Sequence, residues 1–556
     1  MTTTREALRG AVEAAVARAE EAGDLRRPDG VVWPTISIER PARPEHGDYA
    51  TNAAMQLAPV VRDAPLRIAE TLRQHLGLPN GVAEVTVAPP GFLNLRLDAA
   101  WVAAQVATIL AAGPRFGEVR VANARRINVE FVSANPTGPL TVGNARGAFV
   151  GDLLSRVLEG VGNAVTREYY FNDFNAQVRN LGLSVEARRT GRPVPADGYH
   201  GDYVNDLAAQ VPDDVWTAAV ADDADSGEVL GRWASERVRA GIEESLGRLG
   251  VRFDVWTSEG SIHNEGWVTR AVDQLRAAGH VYETDGATWF RSTAFGDDKD
   301  RVIFRSNGQP TYFASDLGYI AQKFSRGFEN LIYLWGEDHH GTVARNRAAA
   351  QALGFDPAAV QWMLMAWVRF VRDGHEISMS KRSGEFITLD ELLAEIGADA
   401  ARWFFGSRAL TTGIDFDIEL AKRQSAENPV YYVQYAHARC SSILRRAAEA
   451  GLVPEADGAA ALLAHPAEQA LIRRLLTLPE VVTDAAARRE THELTAYLLE
   501  VARLFSQFYR DCRVLPEDEA EVPLSRSRLA LTDASRQVMA NALALLGISA
   551  PASMQR

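Results

Sequence analysis

RINVEFVSANPTGPLTVGNARGAFVGDLLSRVLEGVGNAVTREYYF, residues 126–171, predicts one β–α–β unit. A β-rich run at 126–132 comes first, a helical pattern follows, and a second β-rich run at 164–171 completes the unit. The helical pattern rests on apolar residues at helical spacing, namely Val150, Leu154, Val157, Leu158 and Val161. Such a unit is typical of a parallel α/β sheet.

The loop before this helix is rich in glycine and polar residues, and the helix is predicted to begin at Gly143 and Asn144. Exposed amides and the helix dipole favour an anion there, and Gly143 has no side chain to hold a phosphate at a distance. The spacing matches neither GxGxxG nor GxxxxGK(S/T), two common nucleotide motifs. Without a second motif, an ordinary loop-to-helix junction is the simpler interpretation.

The rest of the chain divides by composition and periodicity. The strand GFLNLRL places Leu93, Leu95 and Leu97 on one face, another β-rich run covers 331–336, and strands are not expected after about 385. The predicted divisions are a small α+β domain at 1–115, a parallel-sheet domain at 116–385 with an insertion at about 185–265, a connecting helical segment at 386–425 and an all-α bundle at 426–556.

The composition is that of a soluble globular protein of several domains, 47% hydrophobic and 24% charged over 556 residues. Its 59 basic and 72 acidic residues give a net charge of −13, which argues against nonspecific coating of nucleic acid. The two cysteines, Cys440 and Cys512, indicate neither a disulfide framework nor a cysteine zinc site. No apolar run approaches the roughly 18 residues of a membrane span, so a cytoplasmic location is expected.

A second motif, EISMSKRSGEF at 376–386, places Lys381 and Arg382 among small polar residues. A cationic loop of this kind can stabilise charge that develops as pyrophosphate leaves a triphosphate. The alternative interpretation is a solvated surface loop.

Together, the two motifs resemble those of class I aminoacyl-tRNA synthetases, in which a PxxxxHxGHxR segment precedes a distant xMSKR. The forms EFVSANPTGPLTVGNARGAFVGD, REYYFNDFNAQ, PTYFASDLGY, WGEDHHG and NPVYYVQYAHAR are similar to those of bacterial arginyl-tRNA synthetases. The resemblance implies a Rossmann-like catalytic domain and an anticodon-binding helical bundle. It also implies ATP-dependent ligation of L-arginine to tRNA(Arg) through arginyl-adenylate, with Mg²⁺ accompanying ATP, no tightly bound cofactor, no membrane association and a monomer.

The resemblance assigns the catalytic roles to Thr141, Asn144 and Lys381. Thr141 and Asn144 stand where the family has two histidines, and their hydroxyl and amide can still donate neutral hydrogen bonds. Ser378 stands where a basic residue is common. The implied ATP-binding residues are Pro139, Thr141, Gly143, Asn144, Gly336, Asp338, His339, Met379, Ser380 and Lys381.

The implied arginine-binding residues are Glu130, Ser133, Asn135, Tyr312, Asp316 and His340. Tyr312 and Asp316 are four residues apart in a helical pattern and so share a face, and a carboxylate suits a planar guanidinium. The group Asp338, His339 and His340 could suggest a metal, but adjacent histidines on a strand would point apart, so no metal site is predicted. Departures from the family occur at Asn175, Glu337 and Thr342.

In the bundle, aromatic residues accompany arginines in two segments. Single-stranded RNA bases stack on aromatic side chains, although about half of such tyrosines are expected to be packing residues. The implied tRNA-binding residues are Tyr432, Tyr435, Arg439 and Tyr509.

Two other functions remain open from the sequence. One is a specialised paralogue that serves a biosynthetic pathway, uses an arginine analogue or tolerates an inhibitor, which the changes at Thr141, Asn144, Glu337 and Thr342 suggest. The other is a catalytically silent tRNA-binding protein, against which the retained Tyr312, Asp316 and Lys381 argue.

Overall fold

The computed structural model describes residues 2–173, 176–221, 224–372, 374–376 and 387–554. Its N-terminal part is a small antiparallel sheet, in strand order β1-β3-β2, covered by helices. The elements are α1 (Thr4–Glu21), β1 (Tyr49–Thr51), α2 (Ala53–Val61), α3 (Pro65–Leu76), β2 (Val82–Ala88), β3 (Phe92–Leu97) and α4 (Ala99–Ala112). Leu93, Leu95 and Leu97 of β3 are buried, which confirms the predicted strand and its apolar face.

The central part contains a parallel sheet of order β11-β10-β4-β5-β6 and a separate antiparallel sheet β7-β8-β9. The elements are β4 (Arg126–Glu130), α5 (Val142–Gly160), β5 (Ala164–Phe171), α6 (Ala176–Thr190), α7 (Asp202–Gln210), α8 (Asp213–Ala219), α9 (Ser226–Arg248), β6 (Val255–Ser258), α10 (Glu259–Asn264), α11 (Trp267–Ala277), β7 (Val281–Thr284), β8 (Ala287–Phe290), β9 (Arg301–Phe304), α12 (Tyr312–Ser325), β10 (Asn330–Gly336), α13 (His340–Ala352) and β11 (Val360–Met365). The predicted β–α–β unit is therefore confirmed as β4, α5 and β5.

The boundaries of this unit differ slightly from the sequence pattern. Strand β4 ends at Glu130 because Val132 and Ser133 take φ angles of 68° and 42°, which turn the chain out of the sheet. Helix α5 begins at Val142, one residue before the predicted start, with Thr141 as its N-cap. The five apolar residues that predicted α5 are all buried.

The C-terminal part is largely helical. Its elements are β12 (Val368–Arg372), β13 (His375–Glu376), α14 (Leu389–Ile396), α15 (Ala398–Gly406), β14 (Ile414–Asp417), α16 (Ile418–Lys422), α17 (Pro429–Glu449), α18 (Ala459–Leu462), α19 (Pro466–Leu475), α20 (Leu478–Arg488), α21 (Glu493–Asp511) and α22 (Val522–Leu546). Strand β14 pairs in parallel with β12, so the expectation that strands end near 385 is wrong. Only Ile414 and Phe416 of this four-residue strand are buried, and so short a pattern gives no periodic signal.

A buried arginine joins three parts of the chain. Arg402 of α15 donates through Nη1 to Asp152 Oδ2 of α5 at 2.8 Å and to the Leu546 carbonyl of α22 at 3.1 Å, and through Nη2 to the Leu249 carbonyl at 2.9 Å. The central sheet and the C-terminal bundle are thus fixed to each other. Both cysteines are unpaired and buried, and no helix of the described residues is long and apolar enough to cross a membrane.

Candidate active site

A cavity of about 1130 Å³ opens at the carboxyl ends of β4, β5, β10 and β11. In an open parallel sheet, ligands bind at this edge, between two neighbouring strands whose connections run in opposite directions. Here those strands are β4, which leads through α5 to β5, and β10, which leads through α13 to β11 on the other side. The predicted site residues that line the cavity are Glu130, Ser133, Asn135, Gly143, Asn144, Tyr312, Asp316, Gly336, Asp338 and His339. Pro139, Thr141 and His340 are not among the lining residues.

Glu130 forms the buried acidic floor of the cavity at the end of β4. Its Oε2 accepts from Lys323 Nζ at 2.6 Å, and its Oε1 accepts from Ser133 Oγ at 3.1 Å. Lys323 is fully buried, so this ion pair fixes the position of the carboxylate. Each carboxylate oxygen has a second lone pair, so Glu130 can still accept a hydrogen bond from a ligand.

Asp316 lies four residues after Tyr312 on α12, as the sequence pattern predicts, and both face the cavity. Burial raises the pKa of Asp316 to about 7, and the charges of Glu259 and Glu130 act in the same direction. The Arg345 guanidinium, 4.0 Å from Asp316 Oδ2, and a hydrogen bond from Asn346 oppose that rise. This end of the cavity therefore holds an excess of carboxylate and favours a cation.

The opposite end of the cavity is the N-terminus of α5. Asn144 Oδ1 accepts from the Thr141 backbone N–H and from the Thr141 hydroxyl, each at 3.2 Å. The Asn144 amide oxygen is thereby engaged, which leaves its NH₂ group as the donor that can meet a ligand. Thr141, the N-cap of α5, contacts Asn144 and is not among the residues that line the cavity.

The segment after β10 is a tight turn followed by a helix. Glu337–His339 is a 3-10 turn, and His340 begins α13. The expectation that the two histidines lie on a strand is therefore wrong, since the chain leaves the sheet at Gly336. His339 lines the cavity, whereas His340 is exposed outside it. A Cβ on Gly336 would lie 2.3 Å from Asp338 Oδ1, so glycine permits this close turn.

Three predicted ATP-binding residues, Met379, Ser380 and Lys381, lie outside the described residues, as do Ser378 and Asn175. The described chain that follows this segment is fixed beside α5. The Val142 backbone N–H donates to the Ile387 carbonyl at 3.2 Å, and the Leu389 N–H donates to the Leu140 carbonyl at 2.9 Å.

The sequence did not single out several residues that line the cavity. Residues 196–200 line it, including Asp197, Tyr199 and His200, because Tyr203 of α7 donates to the Thr137 carbonyl at 2.7 Å and holds the 185–265 region over the site. In the sequence, 196–200 belongs only to the predicted insertion at about 185–265. Asn346 of α13 also lines the cavity, and no sequence signal singled it out.

The aromatic residues predicted to bind tRNA meet on one face of α17 and α21. The Arg439 guanidinium lies 4.7 Å from the centre of the Tyr435 ring and 5.3 Å from that of Tyr509, and Arg439 Nη2 donates to the Tyr435 hydroxyl at 3.0 Å. Tyr509 is 42% exposed. Tyr432 does not contact Arg439 in this way; its hydroxyl lies 3.3 Å from Ser506 Oγ of α21.

Comparisons with known proteins identify the family. The model for the arginyl tRNA synthetase N terminal domain matches residues 4–97, that for tRNA synthetases class I (R), catalytic domain, matches 105–192 and 223–404, and that for the DALR anticodon binding domain matches 433–554. An arginine–tRNA ligase from Desulforudis audaxviator (strain MP104C) is 46% identical over 563 residues, which cover 99% of this chain and 98% of the relative. The chain belongs to the arginyl-tRNA synthetase family.

Solved structures agree with this assignment. The arginyl-tRNA synthetase of Thermus thermophilus superimposes with a TM-score of 0.79 at 25% identity, covering 99% of this chain and all of the other. The arginyl-tRNA synthetase of Plasmodium falciparum, at 14% identity, shares the fold with a TM-score of 0.75 over the full length of both chains. The predicted fold class and the class I synthetase enzyme type are confirmed.

Proposed function

We propose that this synthetase, which charges tRNA with arginine as its family does, binds the guanidinium group at Asp316 and the ATP phosphates at the N-terminus of α5. One observation carries this proposal: a single cavity is lined both by the carboxylates of Asp316 and Glu130 and by Gly143 and Asn144 at the start of α5. A cationic side chain and an anionic triphosphate are therefore attracted to different parts of the same space.

The reaction has two steps. An oxygen of the arginine carboxylate attacks the α-phosphorus of ATP, the bond to the β-phosphate oxygen breaks, and pyrophosphate leaves with arginyl-adenylate remaining. A hydroxyl of the 3′-terminal ribose of tRNA then attacks the carbonyl carbon, and AMP leaves. Both steps depend on positioning and on stabilising negative charge, without covalent attachment to the protein.

The α5 terminus supports the nucleotide side of this proposal. Among the described residues, a Cβ on Gly143 would meet only Thr141 Oγ1, at 3.5 Å, so none of these residues requires glycine there. The open space suits a phosphate that approaches the helix amides, with the Asn144 NH₂ group as an additional donor. Gly336, Asp338 and His339 would bind the remainder of ATP, and Mg²⁺ would enter with its phosphates.

The main-chain end of arginine is assigned to the β4 edge. The substrate ammonium would donate to Glu130, and its carboxylate would approach Asn135, whose Nδ2 now donates to Gln177 Oε1 at 2.8 Å. Ser133 holds Glu130 in place through the 3.1 Å hydrogen bond. The positive φ angles at Val132 and Ser133 set this turn against the cavity.

Lys381 is assigned to the charge that develops as pyrophosphate leaves. Ile387 is fixed to Val142 at the start of α5, and six residues span at most about 20 Å, so the lysine is within reach of the phosphate end. Lys381→Ala is expected to lower turnover strongly with little effect on tRNA binding. Unchanged turnover would reject this role.

The bundle is assigned to the anticodon loop. The match to the DALR anticodon binding domain and the cluster of half-buried Tyr435 and Arg439 with exposed Tyr509 support base stacking at this face. Tyr432 would then support the cluster from inside. We further propose that the synthetase acts as a monomer in the cytoplasm.

The deciding experiment is charging of total bacterial tRNA with labelled arginine, beside arginine-dependent ATP–pyrophosphate exchange with and without that tRNA. Robust charging is expected and would show that Thr141 and Asn144 suffice where histidines are usual. Adenylate formation without charging would indicate a specialised paralogue. Silence in both assays with intact tRNA binding would contradict ligase activity.

A further inference from the structure

Two buried polar atoms at the Asp316 end of the cavity lack a partner among the described residues. They are the Asn346 side-chain oxygen, Oδ1, and the Tyr333 hydroxyl. Both residues line the cavity, and Asn346 is only 2% exposed. A buried polar atom without a hydrogen bond costs about 1–3 kcal/mol, so a native site that leaves two such atoms beside one cavity is shaped for a ligand that satisfies them.

The orientation of Asn346 is fixed by its neighbour. The hydrogen bond from Asn346 lowers the pKa of Asp316, so it stabilises the charged carboxylate, and the Asn346 NH₂ group is therefore the donor. The Oδ1 atom, on the other arm of the same amide, is therefore presented as an acceptor near the Asp316 carboxylate. Two acceptors of different charge thus lie at the same end of the cavity.

We propose that Asn346 is a specificity-determining residue that accepts a hydrogen bond from an N–H of the arginine guanidinium while Asp316 neutralises its charge. This inference rests on the proposed placement of arginine at Asp316. A guanidinium has only N–H donors at its end, so every position it offers can meet an acceptor. The Tyr333 hydroxyl can accept a further N–H from the same group.

The arrangement also explains how a neutral analogue would be rejected. In citrulline, a carbonyl oxygen replaces one terminal nitrogen of the guanidinium. That oxygen would face an acceptor at Asn346 or Asp316, and a buried acceptor would remain unpaired. A site built to receive a substrate N–H discriminates strongly against an analogue that lacks it.

The test compares Asn346→Leu with wild type in arginine-dependent adenylate formation in the presence of tRNA, with citrulline as a competitive inhibitor. Loss of a hydrogen bond to a charged group is worth about 1.5–3 kcal/mol, so KM for arginine should rise by about 10- to 100-fold. The inhibition constant for citrulline should change by less than about threefold, because it gains little from Asn346. The ratio of the citrulline inhibition constant to KM for arginine, which measures selectivity, therefore falls as KM for arginine rises.

A structural role would give a different result. If Asn346 recognises arginine, Asn346→Leu leaves KM for ATP and kcat near wild type, whereas a packing defect would change them as well. Asn346→Ala places a smaller side chain there and should raise KM for arginine to the same extent, so it replaces the leucine variant if that variant folds poorly. Gln351→Leu, on the exposed side of the same helix α13, is the matched control and should change neither substrate.

The outcomes separate this inference from the proposed function. If Asp316→Asn raises KM for arginine and the Asn346 variants stay within twofold of wild type, arginine binds at Asp316 but Asn346 does not recognise it. If Asp316→Asn is also without effect, the placement of arginine itself is wrong. Equal losses for arginine and citrulline would assign Asn346 to packing.

Discussion

Asp316 lies on the second turn of α12 and keeps 30% of its side chain exposed, with Arg345 as the nearest cation. Asp316→Asn removes the negative charge but keeps the shape. Because a charge-assisted pair with the guanidinium is lost, we expect KM for arginine to rise at least about 100-fold at pH 8. KM for ATP should stay within twofold, and steady-state charging assays measure both.

The same substitution should stabilise the empty protein. The pKa of Asp316 is raised from near 4 to about 7 on folding, so between these values the folded state holds a proton that the unfolded state has released. Stability is therefore lost as pH rises through that window. At pH 8, Asp316→Asn should melt at a higher temperature than wild type, because its free energy of unfolding is larger by about 1 kcal/mol after solvent screening. At pH 4 the two melting temperatures should match. A lower melting temperature at pH 8 would contradict the raised pKa.

Arginine binding should depend on pH through Asp316. Below pH 7 the carboxyl is protonated, and binding a guanidinium must expel that proton, so KM for arginine should rise by up to about tenfold per unit of pH decrease. Above pH 7.5 it should be constant. The groups that act on this titration are Arg345, Asn346, Glu259 and Glu130. The pKa of Glu259 is also raised by burial, so a pH dependence that survives in Asp316→Asn would assign the titration to Glu259 instead.

At the scale of the element, Thr141 and Asn144 at the start of α5 have different roles. Thr141 donates to Asn144, and Asn144 faces the cavity. Asn144→Ala should reduce kcat/KM for ATP by about 10- to 100-fold, and Thr141→Val by about threefold to tenfold. Because Thr141 is proposed to act through Asn144, the double variant should be no worse than Asn144→Ala alone. Additive losses would show that Thr141 contacts ATP itself.

The elements that the sequence predicted are those with a local signal. The β4–α5–β5 unit follows from two β-rich runs and the helical spacing between them, and Tyr312 and Asp316 share a face because they are four residues apart on one helix. The loop at 196–200 and Asn346 are separated from Glu130 by long stretches of chain. Their approach depends on packing such as the Tyr203 to Thr137 hydrogen bond, which no local pattern encodes. The turn at Gly336 likewise depends on tight three-residue geometry that alternation cannot predict.

At the scale of the whole molecule, buried side chains of one part repeatedly hold the backbone or charge of another. Arg402 fixes α5 and α22 to each other, and Asn541 of α22 donates to the Gly113 and Phe116 carbonyls at 2.9 and 2.8 Å. The active-site helix α5 therefore rests on the same bundle that carries the proposed anticodon surface. Such contacts connect the bundle to the helix that borders the cavity.

Glu480 of α20 is the clearest of these contacts, because it fixes the N-terminal part to the bundle. This buried carboxylate accepts from the Tyr49 hydroxyl at 2.6 Å, from Arg40 Nε at 3.0 Å and from the Arg5 backbone N–H at 3.1 Å. Glu480→Ala leaves those donors without their acceptor, at a cost of about 3 kcal/mol. Hydrogen–deuterium exchange in α1 and β1 should accelerate, while β4 and β10 keep wild-type protection. Glu490→Ala removes an exposed acid two residues after the same helix, whose ion pair among the described residues is with Arg488 at 3.5 Å, and should change nothing. If exchange in α1 is unchanged in Glu480→Ala, the pairs of Arg5 with Asp484, at 2.6 Å, and of Arg473 with Asp48, at 2.9 Å, are sufficient to hold the N-terminal part in place.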